Sequence, residues 1–194
     1  GVTETGELLG EEDYKGYRAD MRGQKGTLWE GGHRVPFFIY WPDGGVTGGR
    51  DLDHLAAHID VLPTLAELCS VSVSNAPAID GISFAAQLPA GSTNSASRDH
   101  LVVQMMGGSN FSDPDSRVAC VIQDQWRLIK EFDGTNDTVG FNEKLYDVST
   151  DPAQTTDIAS ANPNIVQALS ALYQPFWDSV SPRVTPVPID LGNP

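Results

Sequence analysis

The sequence predicts an α/β body followed by a small antiparallel sheet that a helix packs against. The run Val35-Pro36-Phe37-Phe38-Ile39-Tyr40-Trp41 is apolar and aromatic and stops at Pro42-Asp43-Gly44-Gly45, as a strand buried on both faces would. Later in the chain, His100–Met106, Arg117–Gln123, Gln125–Phe132 and Glu143–Val148 are short segments rich in Val, Ile, Leu and aromatics; their close spacing favours antiparallel pairing. Ile165, Val166, Leu169, Leu172, Tyr173 and Phe176 then mark one apolar face at helical spacing.

The elements follow in order. Gly1 to Gly32 hold eight glycines and many Glu, Asp and Lys residues with little apolar periodicity, the pattern of a long loop, and long loops in compact domains are often functional. Val35–Trp41 is expected as a central strand, with Pro36 near its start because proline cannot donate to a ladder. Asp60 is placed to cap the free N–H groups of a helix whose first turn holds Pro63. Leu62, Leu65, Ala66 and Cys69 fall on one face of that helix and are expected in the core. Gly81 to Ser97 is small, polar and rich in Gly, Ala and Ser, so it reads as a connector. The expected domains are therefore 1–97 and 98–194. Asp124-Gln125 suits a hairpin turn, and Asp133-Gly134-Thr135-Asn136-Asp137 a longer loop. Asn162 before Pro163 starts the last helix, Pro175 should kink or shorten it, and the proline-rich stretch after Pro182 is expected as an extended strap.

Composition narrows the function. Twelve basic against 26 acidic residues leave a formal charge of −14, a field that repels polyanions and argues against nucleic acid as a partner. No stretch reaches the ~18 consecutive apolar residues of a membrane-spanning helix, so no membrane association is expected. The chain opens on Gly1 without a leader-like stretch, and its native start is expected to have been removed or to lie upstream. Cys69 and Cys120 make no disulfide framework.

The most informative stretch is Gly23-Gln24-Lys25-Gly26-Thr27-Leu28-Trp29-Glu30-Gly31-Gly32-His33-Arg34-Val35-Pro36. It resembles the sulfatase signature G-x-K-G-x-x-W/Y-E-G-G-x-R-V-P. Downstream, His58-Ile59-Asp60-Val61-Leu62-Pro63-Thr64 is similar to the family's H/S-x-D-L-x-P-T element. Leu145-Tyr146-Asp147-Val148-Ser149-Thr150-Asp151-Pro152-Ala153-Gln154-Thr155-Thr156-Asp157-Ile158-Ala159 resembles L-Y-D-L-x-x-D-P-x-E-x-x-N-L-A, departing from it at Gln154 and Asp157. Three blocks in family order are far more specific than one.

The resemblance implies the C-terminal part of an alkaline-phosphatase-like α/β sulfatase fold with a small C-terminal antiparallel sheet packed by a helix. It implies a formylglycine-dependent sulfuric ester hydrolase as the parent protein, exported to the periplasm or outside the cell and acting on a sulfated small molecule or glycan. Lys25 would contact the sulfate, where a fixed ammonium stabilises both the bound anion and the charge that develops on the bridging oxygen as the S–O bond breaks. His33 is a second candidate for substrate contact. Glu30 and Arg34, opposite charges four positions apart, are read as a structural lock.

The family's nucleophile motif C/S-x-P-x-R is not matched. Cys69 and Cys120 lack its following residues, and Ser112-Asp113-Pro114-Asp115-Ser116 carries serine where arginine is required. Calcium is implied as cofactor, but its aspartate and D-N-G ligands are not in this chain, and Lys25 alone cannot replace a divalent ion. His54 and His58 have the spacing of paired zinc ligands but no third partner, so local hydrogen bonding is expected and no metal ligand is assigned. The isolated chain should therefore turn over negligibly, and apolar surface left open should promote self-association. The competing readings are a phosphate or phosphonate ester hydrolase of the same superfamily and a noncatalytic module for anionic sugars.

Overall fold

The computed structural model describes residues 19–73, 78–90, 92, 98–106, 117–132 and 141–180. The loop expected at Asp133–Asp137, the Ser112–Ser116 segment and the tail beyond Pro182 lie outside the described residues. The chain divides into two compact units: the described residues of Gly1–Val35 with Val102–Pro194, and those of Pro36–Leu101.

The first unit is built on a sheet of four strands in the order β1-β2-β3-β4, comprising Leu101–Met106, Arg117–Gln123, Trp126–Phe132 and Phe141–Asp147. The β2–β3 and β3–β4 pairs are antiparallel, with Val121 opposite Leu128 and Leu128 opposite Leu145. A two-residue turn at Asp124-Gln125 joins β2 to β3, as the sequence suggests, and Asp124 takes the left-handed conformation (φ 48°) that Asp tolerates better than most residues.

Because side chains alternate along a strand, the sheet has two distinct faces. Ala119, Val121, Leu128 and Leu145 point to one face and are fully buried against Leu169, Tyr173 and Trp177 of the C-terminal helix, Pro163–Val180. Ile165, Val166, Leu172 and Phe176 complete that interface, so every position of the expected helical face packs on the sheet. Pro175 does not shorten this helix, which continues to Val180. An internal proline costs about 3 kcal/mol, and apolar contacts on both sides of it, from Tyr173 to Val180, offset that cost.

The opposite face of the sheet carries Arg127, Ile129, Lys144 and Tyr146. Residues 22–34 do not group with the segment that follows them. They dock on this face through Trp29, whose ring meets Tyr146 edge-on at 5.4 Å, and through Glu30, which pairs with Arg127. Both faces of the sheet are therefore covered, which explains why β2 reads as the near-continuous apolar run Val-Ala-Cys-Val-Ile.

In the second unit the expected central strand is not formed. Pro36–Tyr40 is extended, but it has no ladder partner among the described residues; only Trp41 pairs, as an isolated bridge to Val46. Ile39 packs on a small core of Val46, Phe84 and Leu88, and Phe37 meets the Phe84 ring edge-on while remaining 55% exposed, whereas Phe38 is 91% and Tyr40 74% exposed. A strand is defined by its partners, and burial on both faces requires elements that these residues do not supply.

The helix Val61–Leu68 forms where expected, with two differences. Asp60 does not cap it by a side-chain hydrogen bond; its carboxylate accepts instead from the N–H groups of Ala57 and Ile82 and pairs with Arg98. Leu62 and Leu65 are not core residues but are 57% and 47% exposed, and Cys69 is exposed too; the buried positions are Thr64 and Ala66. The stretch after Gly81 is also more than a connector, since Phe84 and Leu88 supply the core of this unit.

Candidate functional site

The three sequence blocks explain most of the local structure. In the first, glycine is required where a side chain would collide. A Cβ on Gly32 would lie 2.2 Å from the Thr27 carbonyl oxygen, and one on Gly31 would lie 2.6 Å from that of Gly23. Gly23 and Gly26 both have positive φ, 86° and 87°, and bracket Lys25 in a turn closed by Thr27 N–H donating to the Gln24 carbonyl at 3.0 Å. Thr27 Oγ1 also accepts from Gln24 N–H and donates to the Gln24 carbonyl.

This turn passes into a single helical turn, Glu30–His33, in which Glu30 is almost fully buried. Its carboxylate accepts from Arg127 Nε at 2.8 Å and Nη2 at 3.2 Å, a two-point pair, and from Arg34 Nη1 at 3.3 Å. The Glu30–Arg34 lock is therefore real but secondary, because Arg34 is 65% exposed while Arg127 is buried with Glu30. Burial alone would raise the Glu30 carboxyl, but Arg127, with help from His33 and Arg34, holds it below its ordinary value of 4.5.

The third block reaches the backbone of the same residue, Glu30. Asp151 Oδ2 accepts from the N–H groups of Thr155 and Thr156, and Gln154 N–H donates to the Asp151 carbonyl, which folds a tight turn. That turn delivers the fully buried Gln154, whose Oε1 accepts from Glu30 N–H at 2.8 Å and whose backbone oxygen accepts from Arg22 at 3.1 Å. Asp157, the other departure from the family pattern, accepts from Leu145 and Ala159 N–H. Gln154 and Asp157 thus serve as hydrogen-bonding staples. Arg22 also lies over the Trp29 ring at 3.6 Å, a cation–π contact.

What this framework presents is Lys25. Its side chain is exposed on the turn and has no ion-pair partner among the described residues. Beside the turn, Gly26, Leu28, Trp29, Met105, Val118 and Glu131 line an open recess of about 210 Å³. His33 differs from Lys25. Burial lowers its pKa from 6.5 despite the nearby Glu30, it hydrogen-bonds to the Leu28 backbone, and its Nε2 is buried with no hydrogen-bond partner among the described residues. The two sequence candidates share one loop, but one faces solvent and the other is packed within it.

The second block is a fold staple. Thr64 Oγ1 donates to the Asp60 carbonyl and accepts from Phe84 N–H, and Asp60 joins Ala57, Ile82 and Arg98. His54 lies against the Phe84 ring at 5.2 Å, whereas His58 is exposed. Among the described residues no group of three or more His, Cys, Asp or Glu side chains could hold a metal ion; they do not fit the calcium implied by the resemblance. Cys120 is buried, and desolvation pushes its thiol up to about 12, so it is unreactive.

Comparison with known proteins agrees with this architecture. The sulfatase family model matches residues 6–71. An N-acetylgalactosamine-6-O-sulfatase of Bacteroides thetaiotaomicron is 26% identical over 161 residues, covering 79% of this chain. The chain is thus similar to sulfatases along most of its length. A rat (Rattus norvegicus) steryl-sulfatase is 36% identical over 70 residues, 36% of this chain. Among solved structures, a sulfatase from work on glycosaminoglycan metabolism by Bacteroides thetaiotaomicron superposes with a TM-score of 0.60 at 23% identity, over 81% of this chain and 32% of its own. Another, solved with a neocarrahexaose, gives a TM-score of 0.59 at 20% identity, over 80% and 31%. The chain described here spans 12% of the length of the rat relative and 29% of the Bacteroides one.

No helix among the described residues is long and apolar enough to cross a membrane.

Proposed function

We propose that the protein to which this chain contributes is a sulfuric ester hydrolase, and that this chain supplies its sulfate-binding lysine and the scaffold that holds it. The observation that supports this most directly is the contrast within the signature loop: Glu30 is buried, paired with Arg127 and stapled by Gln154, while Lys25 is left exposed without a carboxylate partner among the described residues. In a chain with a formal charge of −14, a cation kept clear of its many potential partners is suited to capturing an anion.

In this reading the Lys25 ammonium binds the sulfate oxygens and stabilises charge that accumulates as the S–O bond breaks. Glu30, Arg127 and Gln154 fix the loop so that the ammonium arrives without a reorganisation cost. His33, with its Nε2 buried, supports the loop in the described conformation, and direct substrate contact through Nε2 would require the loop to open. The formylglycine nucleophile and the calcium that polarises the sulfate would be held by residues outside those described, within the remaining sulfatase fold. Residues 1–97 would then complete the main α/β domain and 98–194 its small C-terminal subdomain.

A sulfated glycan is the favoured substrate class, because one relative that matches most of this chain is named for an N-acetylgalactosamine sulfate and one structural neighbour was solved with a neocarrahexaose. Its location would be the periplasm or outside the cell, which fractionation can check. The test is an assay of the calcium-loaded protein carrying this chain on 4-nitrophenyl sulfate beside phenyl phosphonate esters. Sulfate hydrolysis with little phosphonate turnover is expected, and negligible turnover by the isolated chain. Preference for the phosphonate would favour the other superfamily chemistry; glycan binding without hydrolysis would favour the noncatalytic module.

A further inference from the structure

The helix-covered face of the sheet changes character toward one end. Val121, Leu128 and Leu145 are fully buried beneath Leu169, Tyr173 and Trp177. One step further along the same face of β3 and β4, the apolar ladder gives way to Lys130 opposite Glu143, an ion pair in which the lysine is buried. Ser170 of the C-terminal helix joins them: its hydroxyl donates to Glu143 Oε1 and accepts from Lys130 Nζ at 3.1 Å. Lys130 Nζ also lies 5.2 Å from the centre of the Tyr173 ring. Exchanging such a buried pair for apolar residues is often neutral or stabilising, so the fold gives no reason of its own to keep it here. The pair is not sealed over. It lies in the wall of an open recess of about 800 Å³ beside the C-terminal helix, a size within the range of small-ligand sites. Pro163 and Val166 give the recess an apolar side, and the exposed Ser160 and Gln167 add polar groups. Lys130 and Ser170 both bond to Oε1 of Glu143, so its Oε2 has no hydrogen bond among the described residues, while the side chain keeps 26% of its surface exposed.

We propose that this recess binds an uncharged sugar ring, its hydroxyls on the Glu143–Lys130–Ser170 cluster and its C–H face on Pro163 and Val166. A sugar hydroxyl both donates and accepts, and neighbouring hydroxyls suit a cluster that sets a carboxylate acceptor beside ammonium and hydroxyl groups. The mutual bonds of the three side chains hold them in place before a ligand arrives, which lowers the ordering cost of binding. Charge selects a neutral ligand: the pair sums to zero, and the chain's formal −14 opposes an anion. The recess is on the face of the sheet opposite the one on which Trp29 and Glu30 of the signature loop dock. It is therefore a site separate from Lys25, and it does not depend on the proposed hydrolysis.

The experiment follows amide chemical shifts by NMR while the chain is titrated with glucose, galactose, mannose and lactose. At least one of these sugars should give saturable shifts centred on Gln167 and Ser170, with a Kd of about 1 mM. Ser160→Trp, which fills the recess from an exposed position, should weaken that binding by about tenfold or more, and Lys25→Ala should leave it unchanged. Lys130→Leu with Glu143→Leu, which continues the apolar ladder, should abolish binding with the thermal midpoint kept; if that double variant fails to fold, Ser160→Trp alone decides. Absence of saturable shifts with every one of these sugars overturns the proposal, as does binding that survives Ser160→Trp or is lost with Lys25→Ala. Shifts at Gln167 and Ser170 with inorganic sulfate and none with the sugars would make the recess an anion site and overturn it too.

Discussion

The two units of this chain treat similar apolar residues in opposite ways. In the sheet unit, Leu128, Leu145 and Val121 are fully buried under the C-terminal helix, and the other face is capped by the signature loop. In the Pro36–Leu101 unit, Phe38, Tyr40, Leu62 and Leu65 remain exposed around a core of only a few side chains. The difference teaches that the signature has two separable roles: its glycines, Trp29 and Glu30 bind the loop to a self-sufficient platform, whereas the apolar run after it belongs to an unfinished one.

The comparison is broken most severely at the Glu30–Arg127 pair. Arg127→Met should cost about 3–5 kcal/mol in the thermal unfolding of the sheet unit, because it strands a buried carboxylate. Adding Glu30→Gln should recover part of that loss; a fully additive double variant would mean the two side chains act independently. Next in size is the loop's steric demand. Gly32→Ala, whose Cβ would meet Thr27 backbone oxygen at 2.2 Å, should cost about 1–3 kcal/mol in the same measurement. Gly26→Ala, with nothing within 4 Å, should cost only the ~1 kcal/mol of a left-handed backbone.

Acid should act on both units in the same direction. Burial holds His33 and His54 below 6.5, so the stability their neutral forms contribute is present above that pH and lost as pH falls through their folded values. Burial works against ionised Glu30 and Asp60, but Arg127 and Arg98 keep both carboxyls depressed, so their contribution is present above about pH 4.5 and lost below it. Midpoints measured from pH 8 to pH 3 should therefore fall in two stages, and a rise below pH 6.5 would contradict both assignments. The smallest effect is expected at the open face: Phe38→Ser should change the stability of the chain alone by no more than about 0.5 kcal/mol.

The same contrast explains what was legible in the residues. Strand β2 runs from Arg117 to Gln123 as expected, and the last helix starts at Pro163 as Asn162 signals, because local propensity and packing agree there. For Val35–Trp41 and for Leu62 and Leu65, apolar pattern announced burial but could not supply the partner that burial needs. Asp60 looked like a helix cap, yet its carboxylate went to Ile82 and Arg98, 22 and 38 residues away. At the site, Lys25 and Glu30 were legible through the family blocks. Arg127 was not, since it lies 97 residues from Glu30 and outside every block. Gln154 was visible as a departure from the pattern, and only the fold links it to the Glu30 backbone.

The central claim is that the scaffold frees Lys25 for an anion while Lys25 does nothing for the scaffold. Lys25→Ala in the protein that carries this chain tests it, with kcat/KM on a sulfate ester and thermal midpoint measured on the same samples. The expected result is a fall in kcat/KM of about 10² to 10³ with the midpoint unchanged. Undiminished hydrolysis, or a loss of activity that merely follows a lowered midpoint, would contradict it.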